Sequence, residues 1–237
     1  MAPKAPRLPD PAIADDVTGK ELDRGVHHQL RTLSKENAEG VAKHLVMVAA
    51  LLAADDLDGA LAHAETAARR AGRVPAAREA LGMVAYRMGD YARALSEFRT
   101  VKRLSGSHHL LPVMVDCERG LGRDARALDL AQSPEVRSLD IEDRVEMAIV
   151  VSGIRRDLGQ LDAAEVALAI PEARLARHQS WAARLFYARA EIALARGDQA
   201  QARELFSQAL EADQDLVTDA GERLAELDGV VVEWGEE

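Results

Sequence analysis

The sequence has 237 residues, enough for one or two ordinary domains or one repeat array. Hydrophobic residues make up 48% of it but aromatics only 3%, so Ala, Leu and Val supply the apolar mass, which favours helices over a substantial sheet. A net charge of −10, from 40 acidic and 30 basic residues, argues against broad binding to nucleic acid or anionic membrane, which needs a surplus of Lys and Arg on one face.

Cys117 is the single cysteine and cannot form an internal disulfide, which fits a reducing compartment. No charge-free stretch of 18 apolar residues exists, so no membrane span is expected. The opening MAPKAPRLPDPAIADD lacks the continuous apolar run of a secretory signal, and the expected location is cytoplasmic.

In chain order, residues 1–17 read as a disordered or polyproline arm, with Pro3, Pro6, Pro9 and Pro11. Thr18 and Glu21 have the spacing of a capping box, and Leu22, Val26, Leu30 and Leu33 mark one face of a helix expected over 19–33. Ser34 is the expected N-cap of a helix over about 35–54. Asp55-Asp56 turns the chain into another helix over 58–71.

A repeat then becomes visible. Ala60, Ala94, Ala127, Ala164 and Ala202 each take the first apolar position after a turn, at spacings of 34, 33, 37 and 38 residues. Four positions later come Ala64, Phe98, Ala131, Leu168 and Phe206, all apolar. The preceding helices carry Val48, Gly82, Val115, Ser152 and Ala190, all small or β-branched, where two helices must approach closely. The repeats are placed at about 41–74, 75–107, 108–141, 145–178 and 183–216.

Pro134 and Pro171 fall where two second helices should run their last turn. Those helices are therefore expected to be short, about 124–132 and 160–169, after first helices over about 139–157 and 178–196 in the last two repeats. Residues 215–227 read as an amphipathic cap, with Gly229 closing an ordered region of 18–229. The tail 230–237, apolar and acidic, is expected to fold back on the last helices or to dock on a neighbouring protomer or partner.

No P-loop, G-x-S-x-G, H-E-x-x-H or C-x-x-C signature is present. Adjacent His27 and His28 diverge by about 100° on a helix and do not converge on one ion. His108 and His109 would need ligands from another helix, and the remaining His44, His63 and His178 read as solvated or hydrogen-bonded core residues. No metal or cofactor is expected. Cys117, between Asp116 and Glu118, reads as a small core or groove residue with its thiolate disfavoured.

Within 75–108, Leu81-Gly82, Gly89-Asp90-Tyr91, Ala94 and Phe98 stand at the offsets of a 34-residue helical repeat. The chain resembles tetratricopeptide-repeat (TPR) proteins of bacterial type over about 41–216. The resemblance implies an all-α, right-handed solenoid of about twelve helices. It also implies a non-enzymatic adaptor or scaffold, whose first helices line a concave groove for a peptide or helix of another protein.

Carried over residue by residue, the groove positions fall on Glu79, Met83, Tyr86 and Arg87, then on His109, Asp116 and Arg119. In the fourth repeat they fall on Ile149, Gly153 and Arg156, and in the fifth on Arg184, Tyr187, Glu191 and Leu194. The first repeat offers apolar Leu45, Ala49, Leu52 and Ala53, which the helix 19–33 is expected to cover.

Arg87, Arg119 and Arg156 near the ends of successive first helices suggest a ladder for an acidic partner segment. The alternative is that they pair with Asp116, Asp157 or Glu191, or simply neutralise helix C-termini. RNA binding through these arginines is disfavoured by net charge and scarce aromatics. A second functional reading is a self-assembly module forming a homo-oligomer through its tail and repeat ends.

Overall fold

The computed structural model describes residues 10–172 and 179–229. The first nine residues of the expected arm, His178 and the tail 230–237 lie outside the described residues. Among the described residues there are twelve α-helices and no strand. Contacts divide the chain into two compact units, Met1–Leu110 and Leu111–Glu237.

The first unit holds α1 (Arg24–Leu30), α2 (Lys35–Ala53), α3 (Leu57–Arg70), α4 (Pro75–Arg87) and α5 (Tyr91–Ser105). Here α2 pairs with α3, α4 pairs with α5, and α3 packs against α4. The second unit holds α6 (Leu111–Gly120), α7 (Asp124–Ala131), a 3-10 turn at Pro134–Ser138 and α8 (Ile141–Asp157). It continues with α9 (Leu161–Ala167), α10 (Ala182–Ala195), α11 (Gln199–Ala212) and α12 (Ala220–Leu227). Its first helices stack in the order α6, α8, α10, with α12 against α11.

The repeat shows in the packing. Ala60, Ala94, Ala127, Ala164 and Ala202 are each 0% exposed. Phe98 and Phe206 are buried four positions after two of them, and Val48, Val115, Ser152 and Ala190 are buried on the facing helices. The small side chains let paired helices approach while the larger ones fill the seam.

It shows again in the backbone. The amides of Asp56, Asp90, Arg123, Gln160 and Asp198 donate to the carbonyls of Leu51, Ala85, Glu118, Arg155 and Ala193, at 2.8–3.0 Å. That six-to-one bond is the helix-ending motif that needs a left-handed residue just before it. Gly89, Gly122, Gly159 and Gly197 supply the residue in four cases, and Asp55, at φ 56°, in the fifth.

Where aspartate follows the turn, its carboxylate caps the next helix. Asp56, Asp90 and Asp198 accept from the amides of Gly59, Arg93 and Gln201. Arg123 and Gln160 make no such cap, and their helices α7 and α9 are the short ones. Pro134 opens the 3-10 turn after α7, and Pro171 follows α9 closely.

Three expectations need correction. The helix expected over 19–33 is only Arg24–Leu30, capped by Asp23, whose carboxylate accepts from Val26 at 2.9 Å. Glu21 does reach back to the Thr18 amide, at 3.0 Å, and this bond with its neighbours holds the carboxyl down at about 2. The turn does not propagate, because Gly19 sits at φ 83° and packs against α2, where an added Cβ would lie 2.9 Å from that of Ala42.

Residues 10–17 of the expected arm are tethered. Asp10 pairs with Arg69 and Arg70 of α3, and the Ala12 carbonyl accepts from His63. The cap expected over 215–227 begins only at Ala220. Before it, the buried Asp213 carboxylate accepts from the amides of Val217 and Thr218 and from the Thr218 hydroxyl, which holds 213–218 as a loop.

Candidate functional site: the first-helix faces of the two units

In the first unit the predicted groove positions meet a cleft of about 500 Å³. Leu22 and Val26 form one wall, and Leu45 and Leu52 of α2 face Ala80 and Met83 of α4. The position of α1 follows from a cap. Val74 makes no side-chain cap and Pro75 has no N–H, so the Gln29 side chain accepts the Ala76 amide at 2.9 Å and ties α1 to the start of α4.

Because α1 is short, it buries Leu45 but leaves Leu52 half-buried and Ala49 and Ala53 exposed. The cover expected over all four positions is therefore partial. Glu79 stands at the polar rim, its carboxylate 3.2 Å from His109 Nε2, while His109 Nδ1 meets the Ser107 hydroxyl at 2.8 Å. Tyr86 packs edge-on to Tyr91, with centroids 5.9 Å apart. Arg87 is exposed and donates to Asp55 at 3.0 Å.

In the second unit the same helix positions are charged and mutually paired. Arg119 contacts Asp116 at 3.2 Å and Asp157 at 2.6 Å, and Arg156 reaches the other Asp157 oxygen at 3.6 Å. Glu191 accepts from Arg156 at 2.6 Å and from Arg223 of α12 at 2.8 Å. The result is a chain of alternating charge crossing α6, α8, α10 and α12. Burial alone would lower Arg119, but Asp157 and Asp116 outweigh it and raise it.

Arg119 also explains Gly153, since a Cβ there would stand 2.8 Å from its Nη1. Tyr187 packs edge-on to Phe206 at 5.2 Å. Burial first, and then Asp219, raises its hydroxyl above the ordinary tyrosine range. The pairing of Arg119 and Arg156 with Asp116, Asp157 and Glu191 is the alternative weighed from the sequence.

Sequence reasoning missed Arg223, because its helix lay beyond the repeats. It also missed that His44 and His63, 19 residues apart, face each other across α2 and α3 with Nδ1 atoms 2.9 Å apart. Both rings are buried. One nitrogen donates and the other accepts, so at least one of the two rings is neutral. Burial first, then His63, Arg70 and Arg69, push His44 down to about 4 against the opposing pull of Asp10, and burial likewise lowers His63.

Among the described residues no group of three or more His, Cys, Asp or Glu is placed to hold a metal ion. Cys117 is buried, and burial followed by Asp116 and Glu118 pushes its thiol up to about 12. Among the described residues no helix is long and apolar enough to cross a membrane.

A tetratricopeptide-repeat family model matches residues 183–216, the fifth repeat. Among solved structures, a thermophilic TPR protein of Thermus thermophilus is 22% identical, covers 79% of this chain and 98% of its own, and superposes with a TM-score of 0.64. Pseudomonas aeruginosa pilF is 15% identical over 83% of this chain and 87% of its own, with a TM-score of 0.54. These likenesses are of fold. No curated protein matches the chain.

Proposed function

We propose that this chain, whose fifth repeat matches a tetratricopeptide-repeat model and whose fold is like that of a solved TPR protein, is a non-catalytic protein–protein interaction module that holds a peptide or helix of a partner on its first-helix faces. The observation that carries the reading is the cleft beside α1, α2 and α4. It has an apolar floor, it is open, and at about 500 Å³ it is large enough for two or three anchoring side chains. Its partner is a segment with apolar anchors on one side, seated on Leu52 and Met83, with polar groups reaching Glu79 and Tyr86.

An acidic partner segment would have to take Arg87, Arg119 or Arg156 from carboxylates they already hold. Binding of that kind would be weak and sensitive to salt. In the second unit Asp116, Arg119, Arg156, Tyr187 and Glu191 would then act by exchanging partners.

The test is selection from a displayed library of random peptides, followed by binding to the full chain and to Met83→Asp and Leu52→Asp variants whose helicity is unchanged. The reading expects peptides with spaced apolar anchors and at least tenfold weaker binding to both variants. Recovered peptides that bind both variants as they bind the parent would overturn it.

A further inference from the structure

A second cavity in the first unit, of about 550 Å³, lies where the turn at Thr18–Lys20 meets α1 and the start of α2. Its floor is apolar, with Leu30 and Ala42 buried and Leu33 half-buried. Around it stand Lys20, Arg31, Lys35 and Lys43, and Glu39 is the single carboxylate among the lining residues. In a chain of net charge −10 this is an inversion of the local balance.

The pairing pattern makes the inversion sharper. Arg78, Arg93, Arg144 and Arg196 each sit within 3.1 Å of a carboxylate. None of the four cations at this cavity has a carboxylate partner among the described residues. Four unneutralised cations around an apolar floor fit a ligand that is both acidic and apolar.

The sequence carries a segment of that chemistry. Val230-Val-Val-Glu-Trp-Gly-Glu-Glu237 holds three valines, a tryptophan and three carboxylates. Taken as an extended strand, Val230, Val232 and Trp234 share one side, which suits an apolar floor, while Glu233, Glu236 and Glu237 are at hand for the rim. From this complementarity we propose that the cavity receives the 230–237 segment of a second copy of the chain.

The contact is heterologous: a pocket on one copy takes a segment of another. It closes as a pair where two copies exchange segments and forms rings or open chains where they do not. It uses a surface distinct from the cleft proposed for partner peptides.

The experiment is light scattering across a concentration series on the full chain and on charge-swapped chains. The parent is expected to gain mass with concentration. Lys35→Glu/Lys43→Glu and Glu233→Lys/Glu236→Lys are each expected to weaken association at least tenfold, and a chain carrying both swaps is expected to recover it. Lys35→Gln/Lys43→Gln, a milder change, is expected to weaken it as well, and Trp234→Ser should do so without touching a charge.

A parent that keeps monomer mass throughout overturns the proposal. So do swapped chains that associate like the parent, or a doubly swapped chain that stays monomeric. Any of these results leaves peptide binding at the other cleft intact, so the two readings fail separately.

Discussion

Gly82 of α4 lies directly under the ring of Phe98 of α5: a methyl group at Gly82 would stand 2.5 Å from Cε1 and 2.8 Å from Cδ1. Both residues are buried. Glycine is disfavoured in a helix by about 1 kcal/mol relative to alanine, so its presence here marks a steric demand. Gly82→Ala gains that propensity but must displace a packed aromatic ring, at about 1–3 kcal/mol. The expected outcome is a net loss of about 1 kcal/mol in urea unfolding. In a Phe98→Leu background the same substitution is expected to cost less, and an equal cost in both backgrounds would count against the contact.

Asp55 offers the complementary case. It holds φ 56° where the other four junctions have glycine. Its exposed pair with Arg87 contributes about 0–1 kcal/mol. The left-handed conformation costs a side-chain-bearing residue about 1–2 kcal/mol. Asp55→Gly is therefore expected to keep or raise the melting temperature, and Asp55→Ala to lower it. The order Gly, Asp, Ala in thermal stability is the measurement that checks this.

The His44–His63 pair makes stability depend on pH. The folded state holds His44 down at about 4, whereas an unfolded histidine titrates near 6.5. Stability is thus fully present above pH 6.5 and is lost as pH falls towards 4, because the unfolded chain takes up protons the folded chain refuses. For His44 alone the span corresponds to about 3 kcal/mol. His44→Leu/His63→Leu is expected to flatten the stability profile between pH 6.5 and 4, whatever its effect at pH 7.5. A profile as steep as the parent's would show that other groups set the dependence.

Glu191 joins α8, α10 and α12 through Arg156 and Arg223. It is 17% exposed, and Glu191→Gln removes the charge while keeping the shape. The expected loss is about 1–2 kcal/mol, larger than for an isolated surface pair. Raising the salt to about 1 M should shrink the difference between parent and variant. A difference independent of salt would mean that packing and not charge is what the residue contributes.

Much of the fold was legible because steric rules repeat. A small residue at Ala60, Ala94, Ala127, Ala164 and Ala202 and a turn just before each are one-dimensional signals. What the sequence hid was pairing across distance. Nothing local in His44 or His63 tells of the other, and Arg119, Arg156 and Glu191 look alike as ligand-binding charges or as internal partners until the helices are stacked. The start of α1 was hidden differently: Thr18 and Glu21 do form their bond, but the neighbour of Gly19 that stops the helix is Ala42, on another element.

The two oxygens of Glu191 are each taken by a different arginine. A visitor that wins Arg156 therefore strips one helix of its tie to the next. A ligand that took Arg156 would therefore loosen α8 from α10, while Arg223 would still hold α12 to the remaining oxygen of Glu191. Occupancy there would be felt as a change in rigidity between neighbouring first helices.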